Sequence, residues 1–231
     1  MPLIGVNSVT VKPERAREFE EVIGRLAKRA VERKERWRWT AHQTRIGETA
    51  RLHFAYQAAD FGALEVLGTV DELYRRVLGD KEGEALLLRA NECIQSIQHT
   101  VSSDRPDLSY APAPAAGSID PFDVVTLVRA RPGHQEACEE LIRKLAEAIP
   151  KVGDPTRLVA HQTVVGDLRA YWTVRPLRRL GDFDQQLPAP ELLNRAFGAA
   201  EGGLIWRTGN EAIEEARREI LAYREELSNP L

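Results

Sequence analysis

Ala41-His42-Gln43-Thr44 recurs as Ala160-His161-Gln162-Thr163, 119 residues further along the chain. Held at that offset, the sequence aligns with itself without insertion or deletion from Val6/Val125 to Ser109/Ser228, and 27 of the 104 paired positions are identical. Unrelated sequences of ordinary composition would agree at very roughly 7% of positions, about seven matches. The chain is therefore one unit written twice. Residues 1–104 and 123–231 read as two α+β repeats, and residues 105–122, rich in Pro and Ala, as a semi-rigid linker between them.

Outward from the repeated tetrapeptide, Arg38 to Ile46 and Ala50 to Tyr56 are β-prone runs joined at Ile46-Gly47-Glu48-Thr49, a hairpin signal in which Gly supplies a positive φ. The second copy has Val165-Gly166-Asp167-Leu168 there. Upstream, Val6 to Val11 and Val124 to Ala130 are strands ended by Pro13 and Pro132. Between strand and hairpin, Phe19, Val22, Ile23, Leu26, Ala27 and Ala30 recur at spacings of three and four, the stripe of a helix that buries one side. Downstream, Ala63 to Leu67 and Val70 to Leu78 read as helices. A further helical stretch runs from Asn91-Glu92, taken as an N-cap and a first-turn acid, with Ile94, Ile97 and Val101 on one face. A fourth strand near residues 94–101 is the competing reading.

Strand, helix and hairpin in this order make an antiparallel sheet covered by helices on one face, and a second copy can cover the other. The expected fold is two tandem ferredoxin-like repeats, their sheets face to face as a pseudo-dimeric α/β barrel with helices outside. Val6-Asn7-Ser8-Val9-Thr10-Val11-Lys12-Pro13-Glu14, followed by a long amphipathic helix and a hairpin, resembles the dimeric α+β barrel superfamily. That superfamily includes the antibiotic-biosynthesis-monooxygenase-like proteins, the haem-degrading monooxygenases and the chlorite-dismutase-like haem proteins. The resemblance implies a small-molecule site between sheet and helices, with Asn7 on the first strand near the ligand. Its mate is Thr126, and the tryptophan that haem-degrading members carry after the third strand falls near Tyr56 and Arg175. No residue matches their helical haem-ligating histidine, since His99 comes too late and pairs with Arg218.

Composition narrows the function. With 32 basic and 35 acidic residues the formal charge is −3, which does not describe a nucleic-acid-binding chain. No apolar run approaches the ~18 residues of a membrane span, and the first ten residues lack the pattern of a signal peptide, so a cytoplasmic protein is expected. Cys93 and Cys138 make no metal or disulfide spacing. His42 and His161, with Asn7, are the candidate catalytic groups, His being able to act as base or ligand near neutral pH. Gln43, Gln162, Tyr56, Thr126, Arg175 and Trp172 are the candidate substrate-binding groups. The structural reading of the repeated His and Gln is that they hydrogen-bond across the seam between the copies. No metal site is assigned.

These residues support a cofactor-independent, monooxygenase-like enzyme acting on an aromatic or other apolar molecule, with a cavity of at least ~300 Å³ touching His42 or Asn7. Two alternatives stand beside it: a non-catalytic binding, stress-type or oligomer-forming barrel, and a haem-binding protein. The third strands differ between copies at His53/Trp172 and Tyr56/Arg175, so two pockets would be unequal. Expected partners are a small apolar molecule and further copies of the chain, with no nucleic acid and no membrane.

Overall fold

Strand β1 (Leu3–Val11) stops before Pro13, and helix α1 (Ala16–Glu32) follows with the apolar stripe buried as its spacing requires. The structure, a computed structural model, describes residues 2–112, 119–154 and 156–230. Strands β2 (Thr40–Ile46) and β3 (Arg51–Ala58) form the expected hairpin, and Gly47 turns it at φ 125°. Helices α2 (Phe61–Leu67), α3 (Val70–Leu78) and α4 (Asp80–Cys93) come next. Asp60 caps α2 by accepting from the Ala63 amide, and Thr69 with Glu72 forms a capping box on α3. Strand β4 (Ile94–Asp104) closes the first repeat.

The second repeat runs through β5 (Phe122–Ala130), α5 (Gln135–Lys151), β6 (Val159–Val165), β7 (Ala170–Leu177), α6 (Ala189–Phe197), α7 (Ala199–Glu211) and β8 (Ile213–Tyr223). A 3-10 segment, Leu180–Gln185, stands where the first repeat has α2. The strand order is β1-β3-β2-β8-β5-β7-β6-β4, a closed barrel.

The helical reading after residue 91 is corrected by β4 and β8. Asn91-Glu92 and Asn210-Glu211 end helices α4 and α7 rather than begin new ones. Ile94, Ile97 and Val101 fit a helical spacing by accident. Ladder partners distant in sequence hold these eleven-residue strands, and no local periodicity reveals such partners.

The chain divides into two compact units, residues 1–101 with 222–231, and residues 102–221. The unit boundaries fall inside β4 and β8, so each unit takes its closing tail from the other repeat. In the first unit β1 pairs antiparallel with β3, Asn7 opposite Phe54 and Gly5 opposite Tyr56, while β2 pairs with β3, His42 opposite His53. One core cluster lies on the helix side of this sheet, around Val9, Phe19, Ile23, Leu26, Trp37, Trp39 and Tyr56. The second unit repeats the register, Thr126 opposite Thr173 and His161 opposite Trp172, over a core around Val128, Leu141, Ile142 and Tyr171.

Both tails dock by one motif. In the first unit the Arg224 guanidinium donates to both Glu20 oxygens at 3.2 and 2.9 Å and also to the Gln43 amide oxygen. Ser228 Oγ accepts from the Ala41 amide at 2.9 Å, and Leu227 is fully buried. In the second unit Arg105 grips Glu139 through two 2.8 Å bonds and Gln162 through one of 2.7 Å, Ser109 accepts from the Ala160 amide, and Leu108 is fully buried. Repetition of Arg105/Arg224, Glu20/Glu139 and Gln43/Gln162 thus has a packing cause. The segment read as a linker accordingly starts as a docked turn, Pro106–Leu108, bridged through Tyr110 to Leu158; residues 113–118 lie outside the described residues.

Candidate functional site

In the first unit a cavity of about 200 Å³ opens between the sheet and helices α1, α3 and α4. Period-two alternation puts Asn7 and Val9 of β1 and Phe54 and Tyr56 of β3 on this helix-facing side. Phe19, Ile23 and Leu26 from the α1 stripe form the opposite wall, and Trp37 and Trp39 close one end. Val70, Asp71, Asn91 and Ile97, all exposed, mark the mouth. The volume is below the ~300 Å³ expected of an enzyme pocket. An apolar cavity of about 150 Å³ holds benzene, so this one suits a single substituted ring.

The polar chemistry centres on Tyr56. Its ring packs edge-on against Trp37, with centroids 5.2 Å apart, and its hydroxyl lies 2.7 Å from His99 Nε2 on β4. The ring reaches that position because Gly5 faces it across the β1–β3 pair: a Cβ at residue 5 would lie 2.3 Å from Tyr56 Cζ. Burial pushes the Tyr56 hydroxyl above its ordinary range and the His99 imidazole below its own, so both are neutral at pH 7. With the imidazole proton on Nδ1, the hydroxyl donates to Nε2. His99 itself lies outside the cavity wall and is exposed, so the pair connects the cavity to solvent. No side-chain hydrogen bond engages the Asn7 amide among the described residues, and that amide lines the cavity beside Tyr56.

Of the residues suspected from sequence, the cavity brings together Asn7 and Tyr56. His42 lies on the other face of the sheet, where its ring meets Tyr223 at 5.6 Å and burial depresses its pKa to about 4. His161 lies on the corresponding face of the second unit, with Nδ1 2.9 Å from Asp104; burial outweighs that carboxylate and keeps its pKa low. Gln43 and Gln162 hold the tail arginines. Trp172 donates to Thr163 Oγ1 at 3.2 Å. Thr126 accepts from Arg218 at 3.0 Å, and Arg175 pairs with Asp154 at 2.9 Å. From sequence alone Phe54 has no role, Trp37 and Trp39 read as core or seam filler, and His99 enters only as a mismatch to the helical haem-ligating histidine. Reading residues 97, 99 and 101 at period two would have set His99 on a strand face with Ile97.

Haem does not fit this cavity. Its volume matches one ring rather than a porphyrin, and no histidine lines it. His99 Nε2 is engaged by Tyr56, His161 is on the face away from the helices, and His134 precedes α5.

No family model and no curated protein sequence matches the chain. Solved structures do. An anthrone oxidase-like protein is 16% identical with a TM-score of 0.60, over 99% of this chain and 93% of that one. This chain has the dimeric α+β barrel fold. A monooxygenase candidate from Lactobacillus acidophilus is 7% identical with a TM-score of 0.59, covering 96% and 93% of the two chains. A chlorite dismutase from Candidatus Nitrospira defluvii, in complex with imidazole, is 13% identical with a TM-score of 0.55, covering 98% and 93%. At such identities the likeness is one of fold alone.

Proposed function

We propose that the first unit binds a small hydroxylated aromatic molecule in the Asn7–Tyr56 cavity and that the protein is a cofactor-independent, monooxygenase-like enzyme. The observation that carries this reading is the 2.7 Å Tyr56–His99 pair at the wall of an apolar, ring-sized cavity. Trp37, Phe54 and Leu26 supply the apolar enclosure, and the Asn7 amide orients a substrate oxygen. A ring hydroxyl placed against Tyr56 Oη can pass its proton to the tyrosine oxygen as the tyrosine proton moves to His99 Nε2, and His99 releases a proton to solvent through its exposed edge. The resulting phenolate is electron-rich enough to react with dioxygen, which would put one oxygen atom into a substrate methylene as a carbonyl and release the other as water. The neighbours described as a monooxygenase candidate and as anthrone oxidase-like support this choice of chemistry.

A second reading, binding without turnover, is favoured by the cavity volume, which is under the size usual for an enzyme pocket. Oxygen uptake separates the two. With a panel of one-ring phenols and hydroxylated benzylic compounds, the enzyme reading expects consumption of dioxygen that falls at least tenfold in Tyr56→Phe. Saturable binding with no uptake by any compound would leave the binding reading.

A further inference from the structure

The place that holds Tyr56, His99 and Asn7 in the first unit holds Arg175, Arg218 and Thr126 in the second, each pair separated by the repeat offset of 119. The side chains differ in kind, and so do their contacts. Arg218 Nε on β8 donates to Thr126 Oγ1 on β5 at 3.0 Å, and Arg175 is the β7 residue opposite Val124, the next residue on that face of β5. Both guanidinium groups therefore stand over one stretch of the helix-facing side of the sheet. Their charge is only half compensated. Arg175 Nη2 reaches Asp154 at 2.9 Å and the Thr156 hydroxyl, and Arg175 Nε is buried with no hydrogen-bond partner among the described residues. Arg218 is exposed and pairs with no carboxylate among the described residues. Glu214 and Glu215, its neighbours on β8, are taken by Arg169 and Arg129.

We propose that this is an oxyanion-binding site, in which Arg175, Arg218 and Thr126 receive a small carboxylate or phosphate group. The second unit is then a differently specialised site rather than a disabled copy of the first. Two guanidinium groups against one carboxylate leave about one positive charge in a partly buried setting, and guanidinium donors match planar oxyanions in geometry as well as charge. Burial lowers the Arg175 pKa, the Asp154 carboxylate acts against that, and Arg218 adds a smaller lowering of its own, the sign expected of a neighbouring cation. An anion held by the two guanidinium groups offsets that repulsion. This inference does not depend on the activity proposed for the first unit.

Calorimetric titration of the intact protein with sodium benzoate and, separately, with sodium phosphate tests the proposal, with sodium chloride at equal ionic strength as the reference. Saturable binding of either oxyanion beyond the chloride reference is expected, weakened at least tenfold in Arg218→Gln and unchanged in Arg17→Gln, which removes an exposed arginine outside both sites. Benzoate binding alone, weakened in Arg218→Gln, would identify an organic carboxylate as the ligand, phosphate alone a phosphate group, and both a site that reads the shared chemistry. Arg218 is exposed, so its replacement leaves folding intact; Arg175→Gln strands Asp154 and serves only as a second variant. Failure of both anions to exceed chloride, or wild-type binding by Arg218→Gln, overturns the proposal.

Discussion

Replacing Gly5 by Ala adds one carbon at the point where Tyr56 crosses the sheet. The new Cβ would stand 2.3 Å from Tyr56 Cζ and 2.6 Å from both Cε2 and Oη. Carbon atoms at rest approach to about 3.5 Å, so the ring must retreat by roughly 1.2 Å. It has little room, with Trp37 packed on its edge and His99 at its tip. Overpacking of this kind costs about 1–3 kcal/mol, and a lost hydrogen bond adds about 1 kcal/mol. We expect Gly5→Ala to lower the unfolding free energy by about 2–4 kcal/mol, read as a fall in urea midpoint at constant slope. It should also weaken phenol binding. The effect belongs to the ring, so in a Tyr56→Ala background the same substitution should cost less than ~0.5 kcal/mol. Equal costs in the two backgrounds, or a negligible cost in the wild type, would refute the steric reasoning. The second repeat carries Val124 at this position and Arg175 opposite, and so has no ring for a Cβ to meet.

The tail motif predicts that Gln162→Ala, which strips an acceptor from Arg105 and a partner from the Tyr171 hydroxyl, lowers stability by about 1–3 kcal/mol by denaturant titration. Leu227→Ala removes a fully buried side chain and should cost about 2–5 kcal/mol in the same assay. His42 is held at a pKa of about 4 in the folded chain, against 6.5 as its ordinary value. Unfolding therefore takes up a proton between those values, and His42 makes stability fall as the pH drops through that window. Asp123, raised by burial to about 6, acts in the opposite sense. The contribution of His42 is thus the difference between wild type and His42→Gln: we expect the variant to lose about 2 kcal/mol less than the wild type between pH 7 and pH 5.

Much of the architecture could be read from sequence because its causes are local or repeated. The stripe from Phe19 to Ala30, the hairpin glycine Gly47 and the fixed offset each follow from spacing alone. Strand β4 is legible only as the competing reading near residues 94–101, which the structure bears out, because what makes β4 and β8 strands is pairing with segments far away in sequence, while their isoleucines mimic a helix. The same gap hid His99, which becomes a partner of Tyr56 only once β4 is extended. Repetition marked His42, Gln43, His161 and Gln162 as important without saying for what. The glutamines bind the tail arginines, and the two histidines face away from the cavity. Asn7 and Tyr56 line it, although neither is repeated: identity between copies reports shared packing, and both proposed sites rest on positions where the copies differ.

Calorimetric titration of a one-ring phenol into wild type, Tyr56→Phe and His42→Ala bears on the proposed site most directly. A cavity site at Tyr56 requires saturable binding with one molecule per chain, weakened about tenfold by Tyr56→Phe, the equivalent of one lost hydrogen bond of about 1.4 kcal/mol, and unchanged by His42→Ala. Binding that ignores Tyr56 and disappears with His42→Ala, or no saturable binding in the wild type, would contradict it.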